Sequence, residues 1–129
     1  MAEEEGAAGV AEQMLPKLLG ASTRASQPHV VSAVREMILT TSPAGIVRAL
    51  RGMAARPAAF DLLEEIQCPT LVVVGAEDTL TPPTDSEALA KAIPGARLEV
   101  IPAAGHLSNL ENPAAFNRAL DAFLTQVRV

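Results

Sequence analysis

The chain has 129 residues, enough for one domain and too few for two ordinary ones, and 49% hydrophobic residues with a mean hydropathy of +0.24 make it globular material and not a disordered tail. The net charge is −5, and the ten Lys and Arg are scattered without a basic cluster, so the electrostatic footprint of a nucleic-acid binder is missing. No apolar run approaches the roughly 18 residues a membrane span needs, and the acidic start MAEEEGAAG is unlike a secretory leader, so no membrane partner and a cytoplasmic location are expected.

The grammar of the chain changes near residue 65. Residues 1–64 read as a helical segment and residues 65–129 as a βαβα unit. The first helix is expected over 8–19, where Val10, Met14, Leu15, Leu18 and Leu19 recur at helical spacing. Pro16 falls inside it and predicts a kink or an early break. The second is expected over 27–40, with Ser26 as N-cap and Val30, Val31, Val34, Met37 and Ile38 on one face. The third is expected over 43–55. Ser42 caps it, and Pro43 takes the first helical position, where a missing N–H costs nothing. The stretch RPAAFDLLEEIQCP then crosses to the second half as a loop or short helix.

TLVVVG, residues 70–75, is a continuous β-branched and aliphatic run, the pattern of a strand buried on both faces. TDSEALAKAI follows as a helix with Leu89 and Ile93 inward, and ARLEVI, residues 96–101, is the next strand. A connection of about twenty residues that contains a helix is long enough for a crossover, which makes the two strands parallel and the class α/β. The last helix lies in NPAAFNRALDAFLTQV, capped by Asn112 and opened by Pro113.

In open parallel sheets, chemistry gathers beyond the carboxyl ends of the strands. GAEDTLTPP leaves the first strand and PAAGHLSNLENP the second, so Asp78 and His106 sit on adjacent loops. Neighbouring strands lie roughly 5 Å apart, within reach of a side-chain hydrogen bond. A carboxylate against an imidazole N–H fixes the tautomer and stabilises the imidazolium formed when the ring takes a proton. Asp78 and His106 are therefore a candidate orienter and base. The plainer alternatives are a turn residue for Asp78 and a loop residue for His106. Glu77 competes with Asp78 for the acid's place, and His29, on a polar helical face, has no functional reading. The lone Cys68 excludes an internal disulfide and reads as a small buried apolar residue. No cluster has metal-ligand spacing and no glycine-rich phosphate loop occurs, so no cofactor is expected.

The run CPTLVVVGAEDTLTPPTDSEALAKAIPGARLEVIPAAGHLSNLENPAAFNRALDAFL resembles the C-terminal half of α/β-hydrolase-fold proteins, in the esterase and 3-oxoadipate enol-lactonase-like branch. The resemblance implies a partial α/β-hydrolase fold. A strand ending G-x-x-D would supply the triad acid, here Asp78, and a G-H after the last strand the base, here His106. The acid-then-base order fits the family's Ser, Asp, His sequence. Residues 8–60 resemble the family's helical cap, less specifically. The departure is that G-x-S-x-G, the nucleophile elbow, is absent from these 129 residues: none of Ser22, Ser26, Ser32, Ser42, Ser86 and Ser108 has both of its flanking glycines, and Ser22 has only the first, Gly20. The oxyanion hole that accompanies the elbow is missing too. The resemblance thus implies an ester or lactone hydrolase portion that is inactive alone. Pairing as a homo-oligomer or with a complementary N-terminal fragment is expected, because two strands leave open edges. The alternative is a non-catalytic oligomerisation or small-molecule-binding remnant of the fold.

Overall fold

The computed structural model describes residues 2–127, with the side chains of residues 2–5 left aside. Four helices come first: α1 (Ala2–Leu18), α2 (Ala21–Ser26), α3 (Pro28–Leu39) and α4 (Pro43–Ala55). A 3₁₀ turn at Phe60–Glu65 leads into β1 (Leu71–Gly75), α5 (Pro83–Ala92), β2 (Arg97–Ile101), α6 (Ser108–Glu111) and α7 (Pro113–Gln126). The strands pair in parallel with Leu71 opposite Arg97 and Gly75 opposite Ile101, and α5 is the crossover between them.

Sequence signals explain most boundaries. Ser42 accepts the Gly45 amide at 3.1 Å, Pro43 opens α4, and the helix runs over the expected 43–55. Asn112 does the same for α7 through the Ala115 amide at 3.2 Å, and its side-chain amide also donates to the Pro102 carbonyl at 2.8 Å. Pro16 does not break α1, which continues to Leu18; the one non-helical residue inside it is Gly6, at φ 66. Ser26 is not a cap. It closes α2, a helix the sequence reading missed, and its hydroxyl donates to the Ser22 carbonyl one turn back. Gln27 occupies the N-cap position of α3 without a side-chain cap bond.

Two small cores result. Leu15 and Leu19 pack with Val30 and Val34, flanked by Leu18, Val31, Ile38 and Leu107. Each such side chain, fully buried, contributes roughly 1.5–3 kcal/mol. Val74, Ile101 and Ala104 are buried around the carboxyl end of the sheet, and Ile93, at the end of α5, is buried just before β2 begins. Two expectations fail. Only Val74 and Gly75 of β1 are buried, because a strand with a single neighbour is covered only where helices and loops converge on it. Cys68 is exposed, one residue before the proline that leads into β1.

Candidate functional site

Pairing of the chain continues past the strand ends. The Ala76 amide donates to the Ile101 carbonyl at 2.9 Å and the Glu77 amide to the Ala104 carbonyl at 2.8 Å. The loops that follow therefore leave the sheet side by side. Gly75 and Gly105 are required here. A Cβ on Gly75 would overlap the carbonyl oxygens of Gly105 and Ala104, and one on Gly105 would overlap the amide nitrogen of Gly20. Three backbone segments are stacked in direct contact, and only glycine fits between them.

This brings Asp78 and His106 together: Nδ1 of His106 lies 3.0 Å from Oδ2 of Asp78. Thr81 completes the cluster. Its hydroxyl donates to Oδ2 at 3.0 Å and lies 3.2 Å from His106 Nδ1, while its amide and that of Leu80 donate to Oδ1, each at 3.0 Å. Asp78 is thus also the turn residue that the plainer reading described. One oxygen builds the turn and the other faces the imidazole. Thr81, which sequence reasoning passed over, fills the remaining acceptor sites of the carboxylate together with the Leu80 amide.

Asp78 is 6% exposed. Burial is the largest single influence and opposes ionisation. The Thr81 amide, His106 and the Thr81 hydroxyl together outweigh it and hold the carboxyl below its ordinary range. An ionised carboxylate only accepts, so the proton between the two groups resides on Nδ1. That leaves Nε2 as the acceptor on a ring one-third exposed, and no described residue bonds to it.

Glu77 does not compete. Its carboxylate binds the Ser22 amide (2.8 Å) and hydroxyl (2.6 Å) at the start of α2. The Ser22 hydroxyl, then its amide, hold it below the ordinary range against a partial desolvation that acts the other way. His29 is exposed on α3. Among the described residues no group of His, Cys, Asp and Glu could hold a metal ion. Among the same residues no single helix is long and apolar enough to cross a membrane.

Next to this cluster an apolar cavity of about 550 Å³ opens between α1, α3 and α4. Met14, Val34, Ile38, Ile46 and Leu50 line it, and Leu107, the residue after His106, contributes to its wall.

The family model of the alpha/beta hydrolase fold matches residues 15–113, more than three quarters of the chain. This chain belongs to the α/β-hydrolase-fold family. Among solved structures it is similar to a thermophilic esterase from Thermogutta terrifontis, at 41% identity and a TM-score of 0.94 over 99% of this chain and 47% of that one. It is similar to the enol-lactonase from Burkholderia xenovorans LB400, at 30% identity and a TM-score of 0.88 over 96% of this chain and 47% of that one. The 3-oxoadipate enol-lactonase 2 of Acinetobacter baylyi is 28% identical over 127 residues, covering 96% of this chain and 46% of the enzyme. The chain is an esterase- and lactonase-like piece of the fold, and it spans less than half the length of each of these relatives.

Proposed function

We propose that this chain carries the acid and the base of a serine ester or lactone hydrolase, with Asp78 as the orienting carboxylate and His106 as the general base. The observation that supports this most directly is the 3.0 Å contact between Asp78 Oδ2 and His106 Nδ1, which leaves Nε2 directed to the role of proton acceptor. In the reaction, Nε2 takes the proton of an attacking serine hydroxyl and returns it to the leaving alcohol. Asp78 stabilises the imidazolium in between. Residues 1–64 act as the cap-like segment and residues 65–129 as part of the catalytic core, with the apolar cavity between α1, α3 and α4 receiving the hydrocarbon part of a small ester or lactone. The similar esterase and enol-lactonases support that substrate class.

The nucleophile and oxyanion donors come from elsewhere, because these residues hold no G-x-S-x-G. The chain alone is therefore inactive on esters, even as a homo-oligomer, since every copy lacks the elbow, and it works with a complementary N-terminal fragment of the same fold. The test is reconstitution. The chain is assayed with a small activated ester alone, and again after mixing with the nucleophile-bearing half of the Thermogutta esterase. No turnover alone, turnover on mixing, and its loss in His106→Ala and Asp78→Asn support the reading. Turnover by the isolated chain with one of its own serines covalently labelled, or reconstituted turnover that survives His106→Ala, overturns it.

A further inference from the structure

Glu111 is 2% exposed, and the roles given to Asp78 and His106 make no use of it. Its carboxylate accepts four hydrogen bonds. Oε2 takes the amides of Gly105 at 2.9 Å and Leu107 at 3.1 Å, the two residues flanking His106. Oε1 takes the Gly20 amide at 2.7 Å and the Thr23 hydroxyl at 2.8 Å, Thr23 being fully buried in α2. The backbone carbonyl of Glu111 accepts the side-chain amide of Gln27 at 2.9 Å. Gly20, Thr23 and Gln27 recur at intervals of three and four residues, so one face of α2 addresses this single residue. The Leu18 carbonyl accepts the His106 amide (3.0 Å) and shares the Leu107 amide (3.3 Å) with Glu111.

A buried carboxylate costs several kcal/mol unless its acceptor sites are filled, and its removal strands the donors aimed at it. Here the two oxygens are divided between two segments far apart in sequence. One serves the loop that carries the imidazole, and the other serves the α1–α2 junction.

We propose that Glu111 is a positioning residue for His106: it clamps the amides on either side of the histidine and registers that loop against the α1–α2 junction, so that the ring meets Asp78 only while the junction is docked. This rests on the acid–base reading of Asp78 and His106. An amide at position 111 has one acceptor oxygen and turns an N–H₂ towards N–H donors on the other side, so Glu111→Gln cannot serve both segments.

The test uses the whole chain labelled with ¹⁵N-histidine at pH 8, where long-range ¹H–¹⁵N correlations report the tautomer of each ring. His29, exposed on α3, is the internal reference. In the unsubstituted chain His106 is expected as the Nδ1–H tautomer and His29 as the mixture of a free imidazole. Asp78→Asn should move His106 away from the Nδ1–H tautomer, since an amide N–H₂ can donate to Nδ1; if His106 stays Nδ1–H, the acid–base reading fails irrespective of Glu111. Glu111→Gln should also move His106 towards the mixture while the amide spectrum of α7 and the His29 signals stay put. A folded Glu111→Gln protein with an unaltered His106 tautomer overturns the proposal, since a merely structural tie would cost stability and leave the ring as it was. Thr23→Val keeps the carboxylate and deletes one cap-side donor, which covers the case in which Glu111→Gln does not fold. Amide exchange at Gly105 and Leu107 should then quicken roughly tenfold, with a partial tautomer change at His106. Unchanged exchange and tautomer in Thr23→Val also overturn the proposal.

Discussion

The carboxylates of Glu77 and Asp78 are adjacent in sequence and committed to different partners: Glu77 binds the start of α2 through Ser22, and Asp78 binds His106 and its own turn through Thr81. Both are held below their ordinary range. A depressed carboxyl contributes stability that is complete above its unfolded value, about 3.9 for Asp. That contribution is lost as pH falls through the lower folded value. Acid titration followed by circular dichroism should therefore show the stability of the chain falling below about pH 4. Asp78→Asn should flatten that acid limb, and an unchanged limb in the variant would count against the geometry around Asp78.

The stacked glycines should be intolerant of a single methyl. Gly75→Ala and Gly105→Ala place a Cβ against backbone atoms that cannot swing away. Each is expected to cost about 3 kcal/mol or more in urea denaturation. Gly52, inside α4 with nothing near its added Cβ, is the contrast. Gly52→Ala should stabilise by about 0.5–1 kcal/mol, through helix propensity and a less flexible unfolded chain.

Asn112 holds the start of α7 and the loop after β2 with one side chain. Asn112→Ala should cost about 1–2 kcal/mol, near the upper end for a lost cap, since the Pro102 carbonyl loses its donor too. Ser42→Ala, at an exposed cap with one bond, should cost about 0.5–1 kcal/mol. Equal losses from the two would show that the second bond of Asn112 carries no weight.

Leu19 is 1% exposed at the centre of the helical core. Leu19→Ala should cost about 2–5 kcal/mol. The Gly20 and Leu18 contacts to the histidine loop follow it directly in sequence or precede it, so exchange at Gly105, His106 and Leu107 should rise in parallel with the lost stability.

The elements that were legible in the sequence carry their own punctuation. Ser42-Pro43 and Asn112-Pro113 mark helix starts by chemistry local to each pair, and α4 and α7 begin where those pairs say. The parallel pairing followed from a crossover long enough to hold α5. The helix α2 was not legible, because ASTRAS is six residues with no apolar period, and what holds it is Glu77 at one end and Glu111 at its flank. Asp78 and His106 could be placed on neighbouring loops by strand topology alone. Glu111 could not be singled out. In NLENP it reads as one more surface acid, and its burial is created by partners some 90 residues away. The exposure of Cys68 and the incomplete burial of Leu71, Val72 and Val73 in β1 likewise depend on how many strands flank β1, which no local pattern encodes.

The long-range ties between residues 18–23 and residues 105–111 bear on how the chain holds itself together. The crossing between α4 and the 3₁₀ turn, residues 56–59, is coil and fully on the outside. Severing the main chain there would leave both pieces clasped by hydrogen bonds and by Leu107 seated among Leu15, Leu19 and Val34. A chain opened at that point is thus expected to keep the assembled shape, and one that loses the clasp is not.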